Sequence, residues 1–515
     1  MSDKFLIATL MAPPKADGAE LHALHREVNW LEVRADLVRD IDSDWLRNHF
    51  RGRLLFTLRS REEGGAFSDS AEERRRRLAE ATANYDAVDL ESQRDFSERL
   101  LSDVPIERRW VSWCVPAGNI SKLKSKFDQL SSIPASTYRM VTEAATIQEE
   151  LTTLLLLKSL RRFDSIIYSN GPLGFWSRVA ALHLGAPAVF GSADDVAANP
   201  SEPSINKLIV DYGLPQVKPA NELFAIIGDP VFHSLSPRLH NRAYRQLNYP
   251  ALFVPLRVKS FEEFWREAIQ GKLLDALGMP LTGLTVASPH KEAALLRGRQ
   301  VSPMAQQAGS ANILVRTNGW WRADTTDPDV VYMAARDRSV TVKDKRAAVI
   351  GCGGAGRAIA AALAQSGAGV TLINRGEQRG QYAARLLALP YIPLSEFSAG
   401  GYDIVVNATP VGRDDNDSPF DPESLNQGGT VIDLVYGLNP TPLVKRSRLQ
   451  DRVVIDGRDV LLTQVTRQFC LMTGTEMPLA TIAAGLGKAD TVSTTAHHGL
   501  LVDESKCASQ HPLHI

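Results

Sequence analysis

AAVIGCGGAG, residues 347–356, is the stretch on which the fold of the C-terminal half turns. Ala347 to Ile350 read as a buried strand, and the alanine-rich run from Arg357 to Leu363 reads as a helix. Gly351, Gly353 and Gly356 stand between them at GxGxxG spacing. Glycine is needed there because the turn is tight and its backbone must closely approach a pyrophosphate. Gly354 and Ala355 complete the loop, and the helix that follows offers unpaired N–H groups and a favourable dipole to the anion.

A second strand over 369–373 follows at the distance a dinucleotide-binding βαβ unit requires. It ends in Asn374-Arg375, with Arg379 four residues further on. An NAD site would carry Asp or Glu at that point to hold the ribose 2′-hydroxyl. A guanidinium instead stacks on adenine and pairs with a 2′-phosphate, so these residues favour NADP over NAD.

Polar groups gather at strand ends upstream of this unit. IGDPVFHSLSPRLHN, residues 227–241, is a strand end, a loop carrying Ser234 and Ser236, and a helix beginning near Pro237. Helix capping by Ser236 is the structural alternative for these hydroxyls. GLTVASPHK, residues 283–291, ends a strand and opens a helix with Lys291. Asn312 precedes a short apolar run, and WRADTTD, residues 321–327, ends a second strand in Asp327. The expected boundaries are a lobe over 222–335, completed by helices within 458–490, and a Rossmann domain over 340–457. The proline-bearing stretch 213–219 reads as a linker, and 491–515, rich in Ser, Thr and His, as a flexible tail.

The first 215 residues alternate differently. Short apolar runs at 5–11, 30–33, 53–58, 87–90, 110–115, 136–141, 165–169 and 188–190 are separated by amphipathic stretches such as 69–83 and 147–160. Eight such units predict a (β/α)8 barrel, so the chain is α/β throughout.

Composition agrees with several enzyme-sized domains. The 515 residues exceed one ordinary core. Hydrophobic residues at 44% and charged residues at 23% are a globular balance, and a net charge of -1 gives no pull toward nucleic acid or an anionic membrane. No run approaches the ~20 apolar residues of a membrane span. Four cysteines without a CxxC pair suggest no metal site and fit a reducing compartment, so the cytoplasm and small-molecule partners are expected. Nothing here sets an oligomeric state.

Residues 222 to 490 resemble the shikimate dehydrogenase family. The resemblance is carried by Ser234 and Ser236, Lys291, Thr326-Asp327, Gly351 to Arg357, Asn374-Arg375, Asn407 to Pro410, Asp433 to Tyr436 with Thr441 to Leu443, and Gly457 to Gln464. It implies NADP-dependent reduction of 3-dehydroshikimate to shikimate, a step toward chorismate and the aromatic amino acids. Lys291 and Asp327 would be the catalytic dyad, with a structural salt bridge as the alternative. Ser234 and Ser236 would hold the substrate carboxylate beside Tyr436. Asn312, Thr326 and Gln464 would bind ring hydroxyls near Thr285, and Thr409 and Gly457 would meet the cofactor. The chain departs from the family pattern at Ala287, where a threonine is usual, at Thr325, Pro328, Gly376 and Val460. An altered substrate preference follows as the expectation, with quinate the chief competitor.

The N-terminal barrel resembles type I 3-dehydroquinate dehydratase through EVRAD at 32–36, FTLR at 56–59, EGG at 63–65 and GPLGFWSR at 171–178. Glu32, Arg34, Arg59 and Arg178 would then surround an anionic substrate. That family's reaction needs a Schiff-base lysine and a proton-moving histidine. The matching positions are Arg139 and Cys114, and ANPSE at 198–202 lacks the family's serine and glutamine. The expectation is a barrel without Schiff-base activity. The alternatives are a bifunctional enzyme, or a non-enzymatic sensor of a pathway acid.

Overall fold

The computed structural model describes residues 4–38, 41–194, 201–413, 416–437, 439–478 and 480–482. The tail expected over 491–515, the end of the 458–490 stretch and most of the 198–202 loop lie outside the described residues. The chain divides into two compact units, residues 1–223 with 248–281, and residues 224–247 with 282–515.

Eight strands build the barrel of the first unit: β1 (Phe5–Leu10), β2 (Trp30–Arg34), β3 (Arg53–Thr57), β4 (Ala87–Glu91), β5 (Arg109–Pro116), β6 (Thr137–Glu143), β7 (Ser165–Asn170) and β8 (Ala188–Ser192). They form one parallel sheet in the order β7-β6-β5-β4-β3-β2-β1-β8. Pairing of β1 with both β2 and β8 curls this sheet into a nearly closed barrel. Trp110 on β5 meets Trp30 on β2 at 5.4 Å and Phe190 on β8 at 6.4 Å between ring centroids. These strands are not neighbours, so the rings meet across the interior, and the barrel is packed rather than hollow.

The stretch 147–160 is the helix Ile147–Leu160, opened by a capping box between Thr146 and Glu149. It buries Glu150 completely. One carboxylate oxygen accepts the indole N–H of Trp176, and the other has no partner. Burial pushes this carboxyl up to about 8, and the Trp176 bond offsets only part of that. The folded state therefore favours the neutral acid. Its contribution to stability is full below the ordinary carboxyl range and is lost as pH rises through about 8. Glu150→Gln is expected to melt above the wild type by a margin that widens from about pH 5 to about pH 9. A margin that stays flat or shrinks in thermal melts contradicts the buried neutral acid.

The second unit holds two sheets. In one, β9 (Glu222–Gly228), whose first two residues fall in the first unit, neighbours β11 (Leu281–Val286), followed by β13 (Ile313–Thr317), β14 (Trp320–Asp324) and β12 (Gln300–Val301). The strand between them in sequence, β10 (Ala251–Arg257), belongs to the first unit. Antiparallel pairing sets Thr285 against Ile313 and Ile313 against Asp324. Three chain segments thereby reach one edge together: Lys291 just after β11, Asn312 just before β13, and Thr325 to Asp327 just after β14. A two-residue turn, Asn318 and Gly319, both at positive φ, joins β13 to β14 and fixes this register.

The other sheet is parallel, in the order β17 (Tyr391–Pro393), β16 (Gly369–Asn374), β15 (Arg346–Ile350), β18 (Ile404–Asn407), β19 (Thr430–Asp433) and β20 (Val453–Ile455). Ile350 pairs with Ile373 on one side and Asn407 on the other, and Asn407 pairs with Asp433. The glycine turn therefore emerges at the point where strand order reverses, the usual place for a ligand in such sheets. No helix among the described residues is long and apolar enough to cross a membrane.

Candidate active site

A cleft of about 560 Å³ lies within the second unit, lined by Ser236, Lys291, Asp327, the glycine turn, Tyr436 and the start of the helix Gly457–Thr473 among others. At its centre Lys291 donates to both oxygens of Asp327, at 3.0 and 2.7 Å. Asp327 is 1% exposed, so its charge must be met by protein groups. The Asn312 amide donates to it at 3.1 Å and the Gln464 amide at 2.8 Å. The Thr325 hydroxyl donates as well, at 3.5 Å, so four residues fix the carboxylate, and the ammonium keeps one hydrogen for the cleft.

The other expected substrate residues lie around this pair. Asn312 also donates to the Thr326 hydroxyl at 3.0 Å and accepts the Thr326 N–H at 2.8 Å. Its amide thus organises the dyad, and it has little left to offer a ring hydroxyl. Gln468, one turn beyond Gln464, accepts from the Thr285 hydroxyl and donates to that of Thr326, both at 3.1 Å. No motif pointed to Gln468; only its i, i+4 spacing from Gln464 on one helix face could have done so. Ser236 lines the cleft, and its N–H donates to the Ser234 hydroxyl at 3.2 Å. Tyr436 shares a hydrogen bond with Ser234; burial raises its hydroxyl, while Ser234 and the charge of Arg413 act the other way. Ala287 stands in the wall, where a threonine would have added a hydroxyl.

The turn after β15 fits a dinucleotide. Gly351 has a φ of +103°, and a methyl group on Gly356 would stand 1.8 Å from the Gly351 carbonyl oxygen, so neither position admits another residue without rebuilding the turn. Nothing lies within 4 Å of a side chain placed on Gly353. The helix Gly354–Gln365 starts there with no side-chain cap, which leaves its first N–H groups available to an anion. Gly354 and Ala355 line the same cleft. Gly457 is needed for a different reason: a methyl group on it would meet the Val435 carbonyl oxygen at 2.2 Å.

Asn374 ends β16 and accepts the Cys352 N–H at 3.1 Å, so no carboxylate occupies that strand end. Arg379 lines the cleft; Arg375 is exposed and is not among the lining residues. Thr409 donates to Asn407 at 2.6 Å, and Asn407 donates to Asp433 at 2.9 Å, which ties the ends of β18 and β19 together.

In the barrel, the residues expected around an anion have internal partners. Arg139 on β6 donates to Glu32 on β2 at 2.7 Å and lies 4.1 Å over the Phe190 ring. Thr9 and Thr57 donate to Glu32 as well. Burial would raise the Glu32 carboxyl, but Arg139 and Arg34 hold it down at about 2. Arg59 donates to Ser112 at 2.7 Å, Asp89 at 2.6 Å and Glu63 at 3.4 Å. Arg34 is paired at both ends with Asp36. Arg178 donates to Asn170 at 2.8 Å and lies over Tyr168. Burial pushes the Cys114 thiol up to about 11 despite the charge of Arg59, so the sulfur stays protonated at neutral pH. No lysine is hydrogen-bonded to this network among the described residues.

A glycine turn on a parallel sheet, facing an ammonium–carboxylate pair that can protonate an oxygen, defines a dinucleotide-dependent oxidoreductase. Comparison with known proteins narrows the class. The family model for type I 3-dehydroquinase matches residues 7–218, and that for the shikimate dehydrogenase substrate binding domain matches 226–314. Shikimate dehydrogenase (NADP(+)) of Methanothrix thermoacetophila is 34% identical over 276 residues, covering 52% of this chain and 98% of that protein. The bifunctional 3-dehydroquinate dehydratase/shikimate dehydrogenase of Arabidopsis thaliana, a chloroplastic protein, is 26% identical over 87% of this chain and 79% of its own. The crystal structure of shikimate 5-dehydrogenase from Thermus thermophilus, in complex with NADP(H) and shikimate, is 31% identical over 52% of this chain and 98% of that one, with a TM-score of 0.46. The chain belongs to the shikimate dehydrogenase family and carries a type I 3-dehydroquinase domain at its N-terminal end.

Proposed function

We propose that the second unit reduces 3-dehydroshikimate to shikimate with NADPH, and that the barrel performs no Schiff-base dehydration. The observation that carries the first reading is the Lys291–Asp327 contact at 2.7 Å in the cleft that the glycine turn lines. NADPH, when bound, supplies the hydride to the ketone carbon. Lys291 donates a proton to the carbonyl oxygen as negative charge gathers on it, and regains one from solvent afterwards. Asp327, held by Asn312 and Gln464, keeps the amine aimed. Ser234, Ser236 and Tyr436 hold the substrate carboxylate. The preference for NADP rests on Arg379 and the missing carboxylate at the end of β16, and agrees with the cofactor in the relatives' names.

For the barrel, an arginine on β6 is charged at any ordinary pH and forms no imine efficiently. The Arg139 guanidinium is already engaged with Glu32. Purified full chain is to be assayed separately with shikimate plus NADP+ or NAD+, with quinate plus NADP+, and with 3-dehydroquinate alone. Rapid NADP+ reduction by shikimate and an unchanged 3-dehydroquinate sample are expected. Preference for quinate overturns the substrate assignment, and formation of 3-dehydroshikimate from 3-dehydroquinate restores the bifunctional reading.

A further inference from the structure

We infer that the Arg413 guanidinium is a specificity-determining residue of the cleft, a cationic holder for the substrate's carboxylate beside the hydroxyls of Ser234, Ser236 and Tyr436. The inference rests on the proposed reaction and adds to it a charged contact.

The turn that carries Arg413 is anchored at each step. Asn407 accepts the N–H and the hydroxyl of Thr409, at 3.1 and 2.6 Å, and its amide donates to the Val411 carbonyl at 3.3 Å. The Val411 N–H donates to the Thr409 hydroxyl at 3.3 Å, and the Arg413 N–H closes the turn on the Pro410 carbonyl at 3.2 Å. Gly412 takes a φ of +93° to make that bend. The backbone that presents the guanidinium is therefore fixed, while the side chain is exposed at the cleft wall.

Its place along the sheet selects the ligand. The turn follows β18 and Tyr436 follows β19, and Asn407 and Asp433 at the ends of those strands are paired in register and hydrogen-bonded at 2.9 Å. Tyr436 in turn bonds to Ser234. Arg379, the cation suited to a ribose phosphate, follows β16, on the opposite side of the glycine turn after β15. The two arginines thus serve opposite ends of the cleft. Lys291 is committed to Asp327, so the described lining arginines outside any ion pair are Arg379, on the β16 side, and Arg413, on the side of Tyr436. A carboxylate is the anion that the neighbouring hydroxyls also accept, and a guanidinium binds it through paired N–H groups.

The test uses the full chain as wild type, Arg413→Met and Arg413→Lys. Initial rates are taken with shikimate, with its uncharged methyl ester, and over a range of NADP+; calorimetry gives the affinity for shikimate itself. The expected result is a rise of about tenfold or more in the KM and Kd of shikimate for Arg413→Met, partial recovery in Arg413→Lys, and kcat within about threefold of wild type. The KM for NADP+ and the rate with the ester should hardly move. A rise confined to NADP+ would place the guanidinium on the cofactor, and no change in either would make it a solvated surface charge; both overturn the inference. A wild type that does not oxidise shikimate defeats the proposed reaction instead, and calorimetry with shikimate then still decides on Arg413.

Discussion

Lys291→Ala is expected to lower kcat by at least about 100-fold while the KM for NADP+ stays within about threefold. The asymmetry follows from the geometry. The amine reaches the centre of the cleft from the segment after β11, whereas the glycine turn that would hold the cofactor is built from β15 and the helix behind it. Removing the ammonium leaves Asp327 with the amides of Asn312 and Gln464, so the carboxylate is still met and the fold should survive. What is lost is the proton for the developing alkoxide. Initial rates over both substrates check this. Turnover near that of the wild type would reduce the Lys291–Asp327 pair to a structural salt bridge.

Arg139→Met should destabilise the barrel by roughly 3–5 kcal/mol, the range for stranding one member of a buried ion pair. Glu32 is 1% exposed and would keep only the hydroxyls of Thr9 and Thr57 and the charge of Arg34, which is not hydrogen-bonded to it. In the wild type its carboxyl is held at about 2, so the pair contributes stability above the ordinary carboxyl range, and that contribution fades as pH falls toward 2. The variant reverses the sign: Glu32 then prefers to be neutral, and acid should relieve part of the loss. Glu32→Gln together with Arg139→Met should recover much of the stability at neutral pH. Because the chain has two compact units, denaturant unfolding is best followed with probes in each. A single variant as stable as wild type would mean that Glu32 finds another cation or water.

The barrel and the Rossmann sheet were both legible in the sequence, because apolar runs bounded by turns are short-range signals. The strand read over 53–58 is Arg53–Thr57, and the one read over 165–169 is Ser165–Asn170. Glycine spacing at 351, 353 and 356 was equally readable, since a methyl group at 356 collides with the carbonyl oxygen of Gly351, five residues earlier in the same turn. The side-chain partnerships were not legible. Asn312 reads as a ligand for a ring hydroxyl, yet its amide serves Thr326 and Asp327. Gln468 has no motif and emerges only when the helix Gly457–Thr473 lies against Thr285 and Thr326. In the barrel, Arg34 and Arg59, read as anion holders, are paired with Asp36 and Asp89, because a packed interior must neutralise its own charges before it can accept a ligand. Arg139 and Glu32 stand 107 residues apart, so their pairing is a tertiary fact.

Stoichiometry between cofactor and product tests the central claim most directly. NADPH and 3-dehydroshikimate are mixed with the full chain, and the loss of NADPH absorbance is compared with shikimate measured by chromatography. The dyad account predicts one shikimate formed per NADPH consumed in the wild type, and almost none over the same interval with Lys291→Ala. An unreduced ketone with the wild-type chain, or equal rates for the two proteins, would contradict it.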